Sequence, residues 1–342
     1  MALRTANNNT RRTIPPRALG SVEKDVADGL VAVAVEGVLL PSRLVTKGSP
    51  IGLAIAYATI CVIWGSTYLA IKVGLVSFDP LFFAGIRYLL ATVIMFPIAR
   101  WQGVSFSGPL HRWWPAFGVG VLFIGISNGL VFWSETRLDS GFTALLISTS
   151  PLWTALLSPL LPGEEPTRVR GWAGVAIGFV GALVLVAPSG GYRVDPVAAA
   201  AIELSVVVWV ATSLWVRRIS KDFHPLALTT AQMAAGAVTL LAGAAVRGEA
   251  LVGPVVASAV AALLYLAVFG SCVGFGAYFY LLRHWEASRV STSTYINPVI
   301  AVLLGWSILD ETVTVQMVAG TAVILAGVAL VLSERRRHHT AS

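Results

Sequence analysis

Two charged side chains stand inside long apolar runs: Arg87 in FFAGIRYLLATV and Glu203 in AAAAIELSVVVW. In hydrocarbon an ionisable group is expensive, so it pairs, binds a ligand or faces water. Each lies seven residues after a proline, Pro80 or Pro196, which at ~1.5 Å per residue puts both about 10 Å along a helix. Equal depth permits an ion pair between Arg87 and Glu203, a coupling role for the two, or an anion site at Arg87. A structural buried pair is the bland alternative. A second set lies in WGSTYLAIKVG, where Trp64, Thr67 and Tyr68 share one helical face at i, i+3 and i+4. Aromatic bodies with polar tips gain little from lipid and suit a wet cavity. Trp209 and Thr212 repeat the device. Lys72 ends the first run and is expected to snorkel to the interface.

Asn128 and Gln232 are polar residues within apolar runs, suited to a gate, a ligand contact or an interhelical hydrogen bond. Trp153 and Tyr295 flank Pro151 and Pro298, where each proline removes a backbone hydrogen bond and kinks its helix. The prolines serve as hinges or as fixed bends. The expected substrate-binding set is therefore Trp64, Thr67, Tyr68, Arg87, Asn128, Trp153, Trp209, Gln232 and Tyr295. No catalytic set is expected, since no HExxH, CxxC, P-loop or GxSxG motif occurs. No metal or cofactor is expected. Cys61 and Cys272 sit in apolar runs and read as packing residues.

These residues must be held by a membrane protein. Of 342 residues, 56% are hydrophobic and 12% charged, with a mean hydropathy of +0.78; soluble domains carry about 25% charge. A span needs ~20 apolar residues, and ten runs qualify: 51–73, 80–99, 113–135, 140–162, 170–188, 196–216, 225–246, 253–282, 288–308 and 312–333. Short linkers such as SFDP, LDSG and KDFHP make neighbours antiparallel. With the N-terminus inside, nineteen Lys and Arg fall on the cytoplasmic side and four outside. That bias predicts a multi-pass plasma-membrane protein with both termini cytoplasmic. The net charge of +7 reflects this bias, not nucleic-acid binding. Residues 1–50 are polar, basic and proline-containing and read as a disordered cytoplasmic tail, or as a start placed too early. No signal-peptide cleavage site follows their apolar stretch. Residues 334–342 form a basic cytoplasmic tail.

The chain is duplicated. A shift of 145 puts Trp64 on Trp209, Thr67 on Thr212, Pro80 on Pro225 and Arg87 on Gln232. A shift of 147 puts Pro151 on Pro298, and one of 146 puts Gly174 and Gly181 on Gly320 and Gly327. Five spans per half is odd, so the halves run in opposite directions, as in many secondary transporters. The fold class is an all-α membrane protein of ten transmembrane helices in two inverted five-helix repeats, 51–188 and 196–333. Gly174/Gly178 and Gly270/Gly274 have GxxxG spacing and read as close helix contacts. Glu165 and Glu311 read as caps at the starts of helices 5 and 10.

WGSTYLAIKVG, FFAGIRYLLA and the last helices opening on glutamate resemble the EamA family of the drug/metabolite transporter superfamily. The resemblance covers residues 51–333. It implies a central cavity between the repeats and carriage of small metabolites, often outward. Amino-acid-like, nucleobase-like and drug-like solutes all fit, and protons are a candidate coupling ion. An intramembrane enzyme would need a nucleophile or metal set at mid-depth, and a non-transporting sensor would not need polar faces in both halves.

Overall fold

The computed structural model describes residues 50–160, 169–187, 194–219, 222–282, 284–285, 290 and 292–339. Residues 1–49 of the expected tail, and Glu165, lie outside the described residues. Among the described residues the chain forms ten helices. They are α1 Pro50–Gly74, α2 Pro80–Trp101, α3 Leu110–Glu135, α4 Ser140–Leu157, α5 Val169–Val186, α6 Pro196–Ile219, α7 Pro225–Arg247, α8 Ala257–Tyr278, α9 Ser293–Leu309 and α10 Val315–His339. Eight are long and apolar enough to cross a membrane; α9 and the apolar part of α10, Val315–Val331, are shorter. α9 ends where Asp310 takes a left-handed φ of 53°, and α10 starts only at Val315. α10 runs on as helix to His339, through most of the stretch expected as a tail.

The helix starts follow the chain's punctuation. Pro50, Pro80, Pro196 and Pro225 each open a helix, where the missing N–H costs nothing. Asp195 Oδ1 accepts from Val197 N at 2.9 Å and Ala198 N at 3.2 Å, capping α6. Two further caps come from the other half of the chain. Glu249, after α7, accepts from Leu81 N at 2.7 Å at the start of α2. Glu311 accepts from Ser140 N at 2.7 Å and Gly141 N at 2.9 Å, so it caps α4. This corrects the expectation that Glu311 caps α10: a carboxylate goes to whichever positive helix end packs beside it.

The packing carries the inversion. On α5 and α10, a Cβ at Gly174 would lie 2.6 Å from Gly327 O, and one at Gly181 would lie 2.8 Å from Gly320 O. The earlier glycine of each helix meets the later glycine of the other, so the helices cross antiparallel. Gly320 and Gly327 are the repeat mates of Gly174 and Gly181, which makes the contact self-complementary, as a two-fold axis perpendicular to the helices requires. α2 and α7, also repeat mates, pack together; α1 packs on α8 and α9, and α6 correspondingly on α3 and α4. The outer surface is apolar, with Val62, Val93, Leu183 and Val318 exposed. Trp101, Trp114 and Trp306 are exposed near helix ends, as interfacial aromatics are. Cys61 and Cys272 are free thiols in the packing.

Candidate functional site

α3 and α8 are wound alike at their centres. Gly120–Asn128 and Leu266–Val273 both form π-helix, at the same place in the two repeats. Such widened turns free backbone carbonyls and are frequent at functional sites. Asn128 Nδ2 donates to Phe123 O at 3.0 Å, and Ser271 Oγ to Leu266 O at 3.1 Å, so each segment's slack is taken up by one of its own polar side chains.

The expected residues fall into three groups. The first surrounds the π segment of α8. Trp64 Nε1 donates to Gly270 O at 3.3 Å, and its indole packs on Phe275 and Tyr278. Arg87 is only 5% exposed. Its Nε donates to Ser271 Oγ at 3.3 Å, and its guanidinium carbon lies 4.7 Å from the Tyr88 ring centre and 5.8 Å from that of Phe132. Tyr88 Oη donates to Asn128 Oδ1 at 2.8 Å, which ties α2 to α3. A Cβ at Gly270 would lie 3.2 Å from Arg87 Nη2 and 3.3 Å from the Thr67 methyl, and one at Gly274 would lie 2.6 Å from Trp64 Nε1. These two glycines make room for site side chains. The expected close helix-to-helix backbone contact belongs instead to Gly174, where α5 meets α10.

The second group surrounds the π segment of α3. Trp209 stacks on Phe123 with centroids 4.0 Å apart. Gln232 is buried, and its backbone lies against Gly120, whose added Cβ would be 2.4 Å from Gln232 O. The third group joins α4 to α6. Trp153 Nε1 donates to Glu203 Oε2 at 2.7 Å, and Thr149 Oγ1 to the same oxygen at 3.1 Å. Trp153 also packs edge-on against Phe179 of α5. Tyr295 is half-buried on α9 against the main core.

The structure bears on four of the expectations. Arg87 and Glu203 are not paired: they lie in separate groups with separate partners, because α6 turns Glu203 towards α4. The Thr67 and Thr212 hydroxyls are bonded within their own helices. Thr67 Oγ1 donates to Trp64 O at 2.7 Å, and Thr212 Oγ1 to Val208 O and to Trp209 O, each in its own helix; hydroxyls in apolar helices commonly do this. Lys72 does not reach outward but donates from Nζ to Glu135 O at 2.7 Å and Leu138 O at 2.6 Å, closing the end of α3. The prolines also differ. α4 breaks at Ser148–Thr149, just before Pro151, whereas Pro298 lies inside an unbroken α9.

The chain matches the EamA-like transporter family over residues 51–187 and 197–333. It is 33% identical over 271 residues to the inner membrane transporter YedA of Escherichia coli strain K12, covering 79% of this chain and 87% of that one. The chain belongs to the EamA-like transporter family. It is a membrane transporter with two EamA repeats in the inner (plasma) membrane. The probable terminal-alkyne amino-acid exporter of Streptantibioticus cattleyicolor is 28% identical over 286 residues, covering 82% of this chain and 94% of that one. A solved crystal structure shares the fold at 20% identity with a TM-score of 0.61, over 84% of this chain and 99% of its own.

Within this EamA fold, sequence reading missed Tyr88, Phe132 and Ser271, which hold or surround Arg87. Tyr88 adjoins Arg87 in the chain; the others announce themselves only through packing. It also missed Glu135, whose residue is wholly buried. A groove of about 520 Å³ between Leu81, Gly125, Trp133, Val197 and Thr239 contains none of the predicted residues. Exposed Ile126 and Val197 border it, as befits a lipid-facing furrow.

Proposed function

We propose that this EamA transporter is a secondary carrier that exports a small amino-acid-like solute by alternating access, with Arg87 receiving the solute's carboxylate. The observation that carries the reading is the state of Arg87. A guanidinium has five N–H donors, and here only Nε has a hydrogen-bond acceptor among the described residues. No carboxylate lies within 4.0 Å of it among those residues. A buried cation with idle donors is costly unless an anion arrives, and a bidentate carboxylate fits the fork geometry. Trp64, Tyr88 and Phe132 supply apolar walls for the rest of the solute, and Asn128 a polar edge. Two inverted repeats provide the rocking halves. The amino-acid exporter among the relatives supports the same solute class.

The test is counterflow in proteoliposomes with labelled amino acids against their methyl esters. Exchange of the free acids and not of the esters is expected. Equal exchange of both would remove Arg87 from recognition. Orientation follows the positive-inside count: both termini are cytoplasmic. Ser107 and Thr136 are exposed in successive loops. In intact cells Thr136→Cys is expected to react with an impermeant maleimide and Ser107→Cys to be protected; the opposite result reverses the topology.

A further inference from the structure

Glu135 ends α3 and is fully buried, and neither carboxyl oxygen has a hydrogen-bond partner among the described residues. Its neighbourhood is charged. Lys72 from α1 binds the main-chain carbonyl of Glu135 itself and that of Leu138, not the carboxyl group. Arg87 from α2 and Glu311 from the α9–α10 turn act on the carboxyl electrostatically, and Tyr68 from α1 feels it in turn. α4 brings the buried hydroxyls of Ser140 and Thr143, which also lack partners. Asp195, which caps α6, is engaged with Arg137 at 3.4 Å.

An ionised carboxylate without donors does not persist in such a site; a neutral acid does. Lys72 has three donors on a flexible stem. Should Glu135 ionise, Lys72 is the adjacent cation able to leave Leu138 O and swing to the carboxylate. That swing would undo a link between α1 and the end of α3, at the corner where Glu311 also caps α4. We infer that Glu135 is a proton-binding site of this transporter, and that Lys72 converts its ionisation into loosening of the α1–α3 corner. The carboxylic acid O–H bond breaks, the proton passes to water at that end of the molecule, the electron pair stays on the carboxylate, and Lys72 remains an ammonium throughout. The link from this site to transport rests on the carrier reading; the proton site does not.

The test is therefore first made without solute. Full-length protein in lipid vesicles is titrated while the infrared carbonyl band of protonated carboxyl groups is followed. A band present in the wild type near neutral pH should vanish in Glu135→Gln and persist in Glu203→Gln and Glu311→Gln. Lys72→Met should retain the band to a pH about 1–3 units higher, because the cation that welcomes the carboxylate is gone. Lys72→Met also serves if Glu135→Gln fails to fold. A band unchanged in Glu135→Gln, or a titration unchanged in Lys72→Met, overturns the assignment. Counterflow in the same vesicles separates the two readings. A Glu135 band without solute exchange leaves the proton site standing and removes the carrier; exchange that ignores Glu135→Gln and pH removes the coupling alone.

Discussion

Two tryptophans, Trp64 and Trp209, occupy equivalent places in the two repeats, and each leans on a π-wound segment of the opposite repeat. Trp64 donates to the Gly270 carbonyl in the π segment of α8. Trp209 offers α3 its ring face, stacked on Phe123. Beside the first stands Arg87; at the equivalent place near the second stands Gln232. The scaffold is symmetric because the chain is duplicated, and the chemistry is not, because one cation survives on one side only. A symmetric frame suits alternating access, in which either half rocks against the other. Recognition of a small asymmetric solute needs the opposite property. On the proposed carrier reading, the frame belongs to the π segments and glycine crossings, and selectivity to Arg87 and its aromatic walls.

The largest expected effect comes from making the two sides alike. Arg87→Gln leaves a neutral amide at both repeat positions. Loss of a buried charge-assisted contact costs about 2–4 kcal/mol, or roughly 30- to 1,000-fold in affinity for a carboxylate solute. Binding measured by thermal shift and counterflow should both fall, with folded protein retained, since Arg87 has one hydrogen bond to lose among the described residues. Normal exchange of free acids by this variant would mean that the asymmetry is a relic without function.

A smaller effect should distinguish the tryptophans. Trp64→Phe loses the Nε1 bond to Gly270 O, worth about 1 kcal/mol and roughly fivefold in transport. Trp209→Phe keeps an aromatic face for Phe123 and should transport near the wild-type rate. Equal sensitivity at both positions would show that both indoles serve packing, or both the solute. Uptake rates at matched expression decide between these outcomes.

Much of this was legible in the sequence, and the remainder fails for identifiable reasons. The span order, the inversion and the equivalence of Trp64 with Trp209 follow from hydrophobic run length and repeat register, which survive as linear patterns. Arg87 stood out because a charge in an apolar run has no local excuse. Glu135 escaped notice because SETRLD reads as the polar end of a span; only the fold shows that Ser134, Glu135 and Leu138 all turn inward. The reach of Glu311 to α4 and of Glu249 to α2 escaped likewise, because a cap supplied from 170 residues away leaves no spacing to read. The π segments depend on hydrogen-bond counting along α3 and α8. Gly270 and Gly274 carried a true signal of close approach and a misleading one about the partner.

The smallest expected effect concerns the pair that equal depth suggested. Glu203 already has two donors, Trp153 Nε1 and Thr149 Oγ1, and Arg87 leans on Ser271 and two rings. Among the described residues they have no hydrogen-bond partner in common. Residues so placed should be additive within about 0.3–0.5 kcal/mol. Glu203→Gln keeps an acceptor for both donors and should cost about 1 kcal/mol, the difference between a charged and a neutral acceptor. Adding Arg87→Gln should then cost what it costs alone, in melting temperature and in counterflow. Additivity in melting temperature with coupling in counterflow would mean that the two charges meet in another state of the transport cycle, where the two tryptophan sides exchange roles. Coupling in both would contradict the separate partners described here. Additivity in both leaves Arg87 to the solute and Glu203 to the fastening of α4 on α6.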